Sequence, residues 1–155
     1  MIVDSSAIVA ILLKEPGYAH LRDRLAAAEQ VSIGAPTVTE SSLVLCSRLG
    51  HAGKTLLARF LQEAEIEVVE FTADHWTVAA DAFIAYGKGR HRAGLNFGDC
   101  MTFAVARLAG EPLLCLGDDF PTTDLASRSA PKAPTARGTI ATQAITMPPC
   151  RRSPR

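Results

Sequence analysis

The chain has 155 residues, of which 48% are hydrophobic and 21% charged, enough for one domain with a substantial buried core. It contains no run of about 18 uncharged apolar residues, and its first residues leave no room for a basic segment and a hydrophobic segment, so we expect neither a membrane span nor a signal peptide. Residues 127–155 hold six basic and no acidic side chains. Residues 1–126, the body of the protein, hold ten basic and sixteen acidic side chains, which gives a net charge of −6. This acidic body would need a metal ion or a local basic patch to bind a polyanion.

The cysteines indicate a reducing compartment. Cys46, Cys100, Cys115 and Cys150 show no CxxC spacing, and three of them lie in apolar stretches. This pattern is typical of free thiols in a cytoplasmic protein, and it argues against a structural zinc site.

The chain begins with a predicted buried strand, Ile2–Val3, because both residues are apolar and β-branched. Asp4 follows at the strand's end, and Ser5 or Ser6 is expected to cap a helix over residues 7–13. Ligands of open α/β sheets bind beyond the carboxyl ends of the strands. Asp4 is therefore a candidate site residue.

The remaining pattern alternates helices with strands. Helices are predicted at 18–30, at 36–50 with Thr37 as the cap, and at 54–64, 72–87 and 99–110, and strands at 31–35, 66–71 and 113–116. Glu40 is expected in the first turn of its helix. The alternation predicts a three-layer α/β/α fold over residues 1–126, with a central parallel sheet of four to five strands. Residues 127–155 lack periodicity and are predicted to form a disordered basic tail.

Acidic residues recur where strands end or helices begin. They are Asp4, Glu40, Asp99, Asp118 and Asp119. Individually, acids at helix starts could serve only as partners of the helix dipole, and the paired aspartates could form an ordinary turn. Together they converge on one sheet edge, where they would repel one another without a cation. Oxygen-rich sites suit Mg²⁺ or Mn²⁺.

One basic loop precedes the third acid. Lys88, Arg90 and Arg92 could hold the phosphates of a polyanion near the acids, although an ordinary solvated loop is the alternative. His91 is a weaker candidate for a general base, because nothing in the sequence places it against the acids. Trp76 is expected in the core or on a dimer surface. The isolated histidines are expected at the surface; they are His20, His51 and His75.

Several segments carry a family resemblance over about residues 1–125. They are MIVDSSA at 1–7, the helix containing Glu40, YGKGRH at 86–91, LNFGDC at 95–100 and GDDF at 117–120. Together they resemble a PIN-domain ribonuclease, and within that family the VapC toxins of bacterial toxin–antitoxin pairs.

The resemblance implies a Mg²⁺-dependent endoribonuclease. It assigns metal binding and catalysis to Asp4, Glu40, Asp99 and either Asp118 or Asp119. Ser6 matches the family's hydroxyl at the helix start, and Asn96 matches a polar position before the third acid. The resemblance also implies an RNA substrate, a homodimer and an antitoxin that fills the acidic cleft. Residues 126–155 match nothing in the family.

Other classes of protein were weighed against the same residues. A PIN domain that has lost activity and only binds would share this pattern, although all four acids are present. A receiver-type signalling domain also places acids at strand ends, but it needs an acceptor aspartate where this chain has Glu70-Phe71-Thr72. A haloacid-type phosphatase would need an aspartate in place of Ser6.

Overall fold

The computed structural model describes the backbone of residues 1–127 and the side chains of residues 1–125. In chain order the elements are β1 (Ile2–Val3), α1 (Ser5–Leu13), α2 (Tyr18–Ala26), β2 (Ser32–Gly34), α3 (Ala35–Leu49), α4 (His51–Glu63), β3 (Glu67–Val69), α5 (Ala73–Tyr86), α6 (Phe97–Ala109), β4 (Leu113–Leu114) and two 3₁₀ helices at Phe120–Thr122 and Asp124–Ser127. The predicted disordered tail, residues 127–155, lies outside the described residues except for Ser127.

The four strands form one parallel sheet in the order β3-β2-β1-β4. β1 lies inside the sheet, with Ile2 opposite Ser32 on one side and opposite Leu113 on the other. Because all strands run in the same direction, their carboxyl ends share one edge. The predicted parallel sheet is confirmed, with the lower of the two expected strand counts in the described part of the chain.

Helices cover both faces of the sheet because alternate strand residues point to opposite sides. Val3 and Ile33 pack among apolar residues of α1, α2, α3 and α4. Ile2 packs on the other face against Val105 and Ala106 of α6. This arrangement confirms the predicted three layers. No helix of residues 1–127 has both the length and the hydropathy needed to cross a bilayer.

Several predicted boundaries were wrong because local caps decide them. Asp4, and neither Ser5 nor Ser6, caps α1 through its own carboxylate. α3 begins at Ala35, so Thr37 lies inside the helix and Glu40 falls in its second turn. α2 ends at Ala26, four residues earlier than the pattern predicted.

One side chain also differs from its predicted environment. His75 is buried, because its ring lies against Phe71 and its Nδ1 accepts a hydrogen bond from the backbone N–H of Thr72 at 3.1 Å. Together with the Thr72 side chain it forms the cap of α5. Trp76 is 62% exposed, so the core position predicted as one alternative was wrong, whereas the other alternative, a dimer surface, stays a prediction. Cys46, Cys100 and Cys115 are free thiols, as expected.

Candidate active site

Asp4 occupies the end of β1 and is only 3% exposed. Its Oδ2 accepts hydrogen bonds from the backbone N–H of Ser6 at 2.9 Å and from the Ser6 hydroxyl at 2.6 Å. Its Oδ1 is buried without a hydrogen-bond partner among the described residues. A buried carboxylate oxygen without a partner is costly, so this atom is a candidate to bind a cation or a water molecule.

Ser6 connects Asp4 to the neighbouring strand. Its Oγ donates to Asp4 and accepts a hydrogen bond from the backbone N–H of Leu116 at 3.0 Å. The backbone N–H of Asp4 donates to the carbonyl of Leu114 at 2.9 Å. These bonds fix the end of β1 against the segment that leads from β4 to Asp119.

Glu40 projects from the second turn of α3 towards the first turn of α6. A Cβ placed on Gly98 would lie 2.6 Å from each carboxylate oxygen of Glu40, so the carboxylate packs directly on the glycine. Burial raises the pKa of Glu40, a hydrogen bond from Ser5 lowers it, and the nearby charge of Asp4 raises it further. Glu40 is therefore close to Asp4 as well as to α6.

Asp99 is the third residue of α6 and forms a capping box with Asn96. Its backbone N–H donates to Asn96 Oδ1 at 3.0 Å, and its Oδ2 accepts from the Asn96 backbone N–H at 2.7 Å. The pKa of Asp99 is raised to about 6, and burial is the largest cause, against the lowering effect of the hydrogen bond from the Asn96 backbone. The charges of Asp4, Glu40 and Asp119 also contribute to this raised value. Like charges have this effect when carboxylates share one site.

The two aspartates after β4 differ in their effect on this cluster. Asp119 raises the pKa of Asp99, whereas Asp118 is not among the groups that do so. The same charges act on Cys115. Its thiol pKa is raised to about 11 by burial and by the charges of Asp4, Asp119 and Asp99, with Arg24 acting in the opposite direction. Both effects place Asp119 nearer to the other acids.

The predicted basic loop is present after α5, and its three cations are exposed. The Arg90 guanidinium lies over the Phe83 ring at 5.4 Å. His91 Nδ1 accepts a hydrogen bond from the backbone N–H of Ala93 at 3.1 Å, and its ring meets Tyr86 edge-on. No contact joins His91 to an acid in the described part of the chain, which disfavours it as a general base.

The acids fit a hydrated hard cation better than a closed metal cage. Within residues 1–127, no three acidic, histidine or cysteine side chains stand close enough to hold an ion alone. Mg²⁺ commonly binds proteins through one or two carboxylates and keeps several waters. The unpartnered Oδ1 of Asp4, in a carboxylate whose charge acts on Glu40 and Asp99, matches that requirement.

Sequence reasoning missed three residues around these acids. Gly98 receives the Glu40 carboxylate, and the hydroxyls of Thr37 and Thr102 form a buried hydrogen bond between α3 and α6 at 2.9 Å. Their spacing was the available signal: Thr37 precedes Glu40 by three residues and Thr102 follows Asp99 by three. On a helix that spacing puts both members of each pair on one face.

Comparison with known proteins agrees with this geometry. The PIN domain profile matches residues 1–125. Ribonuclease VapC36 of Mycobacterium tuberculosis is 49% identical over 129 residues, covering 83% of this chain and 93% of the relative. Ribonuclease VapC of Mycolicibacterium smegmatis is 40% identical over 127 residues, covering 82% and 98%.

A solved structure shares the fold. The crystal structure of Mycobacterium tuberculosis VapC20, described as a sarcin–ricin loop cleaving toxin, superposes with a TM-score of 0.65 at 21% identity and covers 77% of this chain and 92% of that one. Proteins can share a fold at much lower sequence identity than the 49% and 40% found for the two ribonucleases, and the PIN domain profile also matches most of the chain. This chain therefore belongs to the PIN-domain family, among the VapC ribonucleases.

Proposed function

We propose that this chain is the endoribonuclease toxin of a toxin–antitoxin pair and that it hydrolyses RNA phosphodiesters with Mg²⁺ or Mn²⁺. The observation that carries the proposal is the buried, unpartnered Oδ1 of Asp4, in a carboxylate whose charge acts on Glu40 and Asp99. PIN-domain VapC ribonucleases generally depend on divalent metals. The identity of the metal is part of the proposal.

We propose that the acids divide into two groups by how they would bind the cation. Asp4 and Asp99 would bind the cation directly, and Glu40 and Asp119 would hold its waters. Ser6 and Asn96 orient the two direct ligands through the hydrogen bonds described above. When bound, such a cation lowers the pKa of a water molecule and offsets negative charge on the phosphodiester. Of the two aspartates after β4, Asp119 is the better fourth acid.

The basic side chains of the loop before α6 have a proposed role in binding the substrate. Lys88, Arg90 and Arg92 are exposed on the loop before α6, and we propose that they bind phosphates of single-stranded or loop RNA. RNA in loops exposes its backbone and bases more fully than a duplex does. This loop supplies the local positive charge that an acidic body needs.

VapC toxins act with a cognate antitoxin, and we propose that this chain has one and works in the cytoplasm. We also propose that it forms a homodimer. An apolar recess of about 580 Å³ between α5 and α6 supports the second proposal. Its lining includes Trp76, Phe83 and Phe97, and Phe97 is 79% exposed. Exposed aromatic residues are enriched at protein interfaces.

The decisive experiment incubates purified protein, free of antitoxin, with structured RNAs and with Mg²⁺, Mn²⁺ or EDTA. We expect cleavage with either metal and none in EDTA. Asp99→Asn should keep the fold and abolish cleavage, because it removes one charged ligand while preserving shape. Asp81→Asn, an exposed residue of α5, is the matched control and should cut normally.

Three outcomes would contradict the proposal. Cleavage that survives EDTA or Asp99→Asn belongs to a contaminant or to another site. Absence of cleavage with every metal would favour the inactive binding domain.

Testing Asp118→Asn beside Asp119→Asn decides which aspartate belongs to the site, and we expect the larger loss of cleavage from Asp119→Asn.

A further inference from the structure

We propose that Gly98 and the buried Thr37–Thr102 hydroxyl pair are positioning residues that set the separation between Glu40 and Asp99. The inference rests on the proposed function, because the two carboxylates are taken to bind one hydrated cation. It assigns to three residues without charge a role in the geometry of the acidic site.

Gly98 provides the space for the Glu40 carboxylate. An added Cβ would lie 2.6 Å from both oxygens and 2.7 Å from Cδ of Glu40, closer than any real contact of this kind. Gly98 is the second residue of α6, and its backbone is regular helix, which an alanine adopts more readily than a glycine. The backbone therefore does not require glycine here, whereas the approach of Glu40 does.

In Gly98→Ala the new methyl group would clash with the Glu40 carboxylate, and the outcome is predictable because the two groups differ in stiffness. On the α6 side the new methyl group would be fixed to a capped first turn. On the α3 side the atoms in contact are the far end of a flexible glutamate side chain. The glutamate should move and the helices should stay, so Gly98→Ala changes the site without changing the fold.

The threonine pair fixes the two helices that carry the carboxylates. Thr37 is 2% exposed and Thr102 is 0% exposed, and their Oγ1 atoms lie 2.9 Å apart. Each hydroxyl would be an unsatisfied buried polar group without the other. A hydrogen bond is directional, so it resists sliding of α3 along α6 more specifically than apolar contacts do. Ser41 adds a hydrogen bond to the Thr37 carbonyl at 2.8 Å.

These contacts act at matching places on the two helices. Thr37 lies one turn before Glu40 on α3, and Thr102 lies one turn after Asp99 on α6. Gly98 stands next to Asp99 and touches Glu40. The hydroxyl pair thus holds the register of the helices, and the glycine permits the final approach of the carboxylate. Supporting groups of this kind commonly change metal affinity by about 10-fold to 100-fold when they are altered.

The first test measures Mn²⁺ affinity by calorimetry for wild type, Gly98→Ala, Glu40→Ala and the double variant, together with melting temperatures in EDTA. We expect Gly98→Ala to bind Mn²⁺ about tenfold or more weakly and to melt no lower than wild type. In the Glu40→Ala background, Gly98→Ala should have no further effect on affinity, because the group that it displaces is gone.

The outcomes separate this inference from the proposed function. If wild type binds no divalent ion, the metal site itself is wrong and the positioning role falls with it. If wild type binds Mn²⁺ and Gly98→Ala binds equally well, only the role of Gly98 is overturned. An equal loss of affinity with and without Glu40 would overturn it too.

The second test compares Thr102→Val with the Thr37→Val/Thr102→Val pair. The single variant leaves one buried hydroxyl without a partner and should melt lower than wild type. The double variant replaces both hydroxyls by methyl groups and should regain most of the stability, yet still bind Mn²⁺ more weakly. If the double variant regains wild-type affinity along with stability, the pair is a core contact without a positioning role.

Discussion

At the scale of single residues, Asp4 determines the chemistry of the site. One of its oxygens caps α1 through two hydrogen bonds to Ser6, and the other is buried without a partner. The same side chain therefore begins a helix and offers a ligand atom. Capping α1 requires only an oxygen that accepts a hydrogen bond, whereas binding a cation requires the negative charge of the carboxylate. A substitution that keeps the oxygen and removes the charge can therefore separate these two roles of Asp4.

The first prediction concerns Asp4→Asn. The asparagine oxygen can replace Oδ2 as the acceptor, so the cap should remain, and repulsion within the acidic cluster should fall. We expect the metal-free variant to melt at or above the wild-type temperature, while its Mn²⁺ affinity falls strongly. Calorimetry and thermal melts in EDTA measure both effects. Equal Mn²⁺ affinity in the two proteins would rule out Asp4 as a ligand.

The second prediction concerns pH. Asp99 has a folded-state pKa of about 6, above its ordinary value of 3.8. The fold therefore prefers the protonated form, and this stabilising contribution is complete below the unfolded-state value and lost as the pH rises through about 6. Without metal, the melting temperature of wild type relative to Asp99→Asn should fall over this range.

Bound metal should reverse the effect, because the cation stabilises the ionised acids and binds only the folded form. Thermal melts between pH 4 and pH 8, in EDTA and in Mn²⁺, provide the measurement. A difference between wild type and Asp99→Asn that does not vary with pH would contradict the prediction. So would a wild-type melting temperature that rises relative to that of Asp99→Asn as the pH increases in EDTA.

At the scale of elements, the start of α6 brings together several groups of the site. Its cap is Asn96, its second residue receives Glu40, its third residue is Asp99, and Thr102 bonds to α3. The residues before it form the basic loop, whose backbone is held where the Lys88 N–H donates to the Leu95 carbonyl at 3.0 Å. A single helix start thus links the proposed metal site to the proposed RNA contacts.

The third prediction tests that loop. Lys88→Gln/Arg90→Gln should weaken RNA binding and reduce its dependence on salt, because fewer counterions are released. The log–log slope should flatten by about 0.7 for each phosphate of single-stranded RNA that the variant no longer neutralises. Binding should be measured in an inactive Asp99→Asn background at several salt concentrations. Lys54→Gln/Arg59→Gln on α4 is the control, because it removes the same amount of positive charge outside the loop. An equal loss of RNA affinity in this control would show that only the net charge of the protein matters.

At the scale of the whole molecule, the described body ends in a defined anchor. Asp124 forms an ion pair with Arg107, and Leu125 packs against apolar residues of the face that α6 covers. The next residues open the basic segment that has no acidic side chain. The acidic body and the basic segment therefore meet just beyond this anchor.

The fourth prediction is that a chain ending after Ser127 keeps its stability. Its melting temperature should lie within a few degrees of the full chain, since the described core is complete by Leu125. A chain ending after Thr122 is the control and should melt lower, because it lacks both Asp124 and Leu125. Insolubility of the longer truncation, or a large loss of stability, would show that residues 128–155 pack on the body.

The sequence by itself determined the alternation of helices and strands, and with it the parallel sheet. Apolar runs such as Ile2–Val3 identify strands covered on both faces, because exposing them would cost hydrophobic stabilisation. Sheet topology then places strand ends on one edge, so Asp4, Asp99 and the acids after β4 could be grouped before any coordinates were known. The motifs at 95–100 and 117–120 supported the family.

Only the tertiary structure decided how these groups face one another. In the structure the charge of Asp119 acts on Asp99, His75 is buried, Trp76 is exposed, and Oδ1 of Asp4 has no partner among the described residues. None of these follows from local pattern, because each depends on which helix packs beside the residue and at what register. The contact between Glu40 and Gly98 joins residues 58 positions apart in the chain. Such a contact exists only once α3 and α6 have packed, and their packing is set by buried side chains such as Thr37 and Thr102.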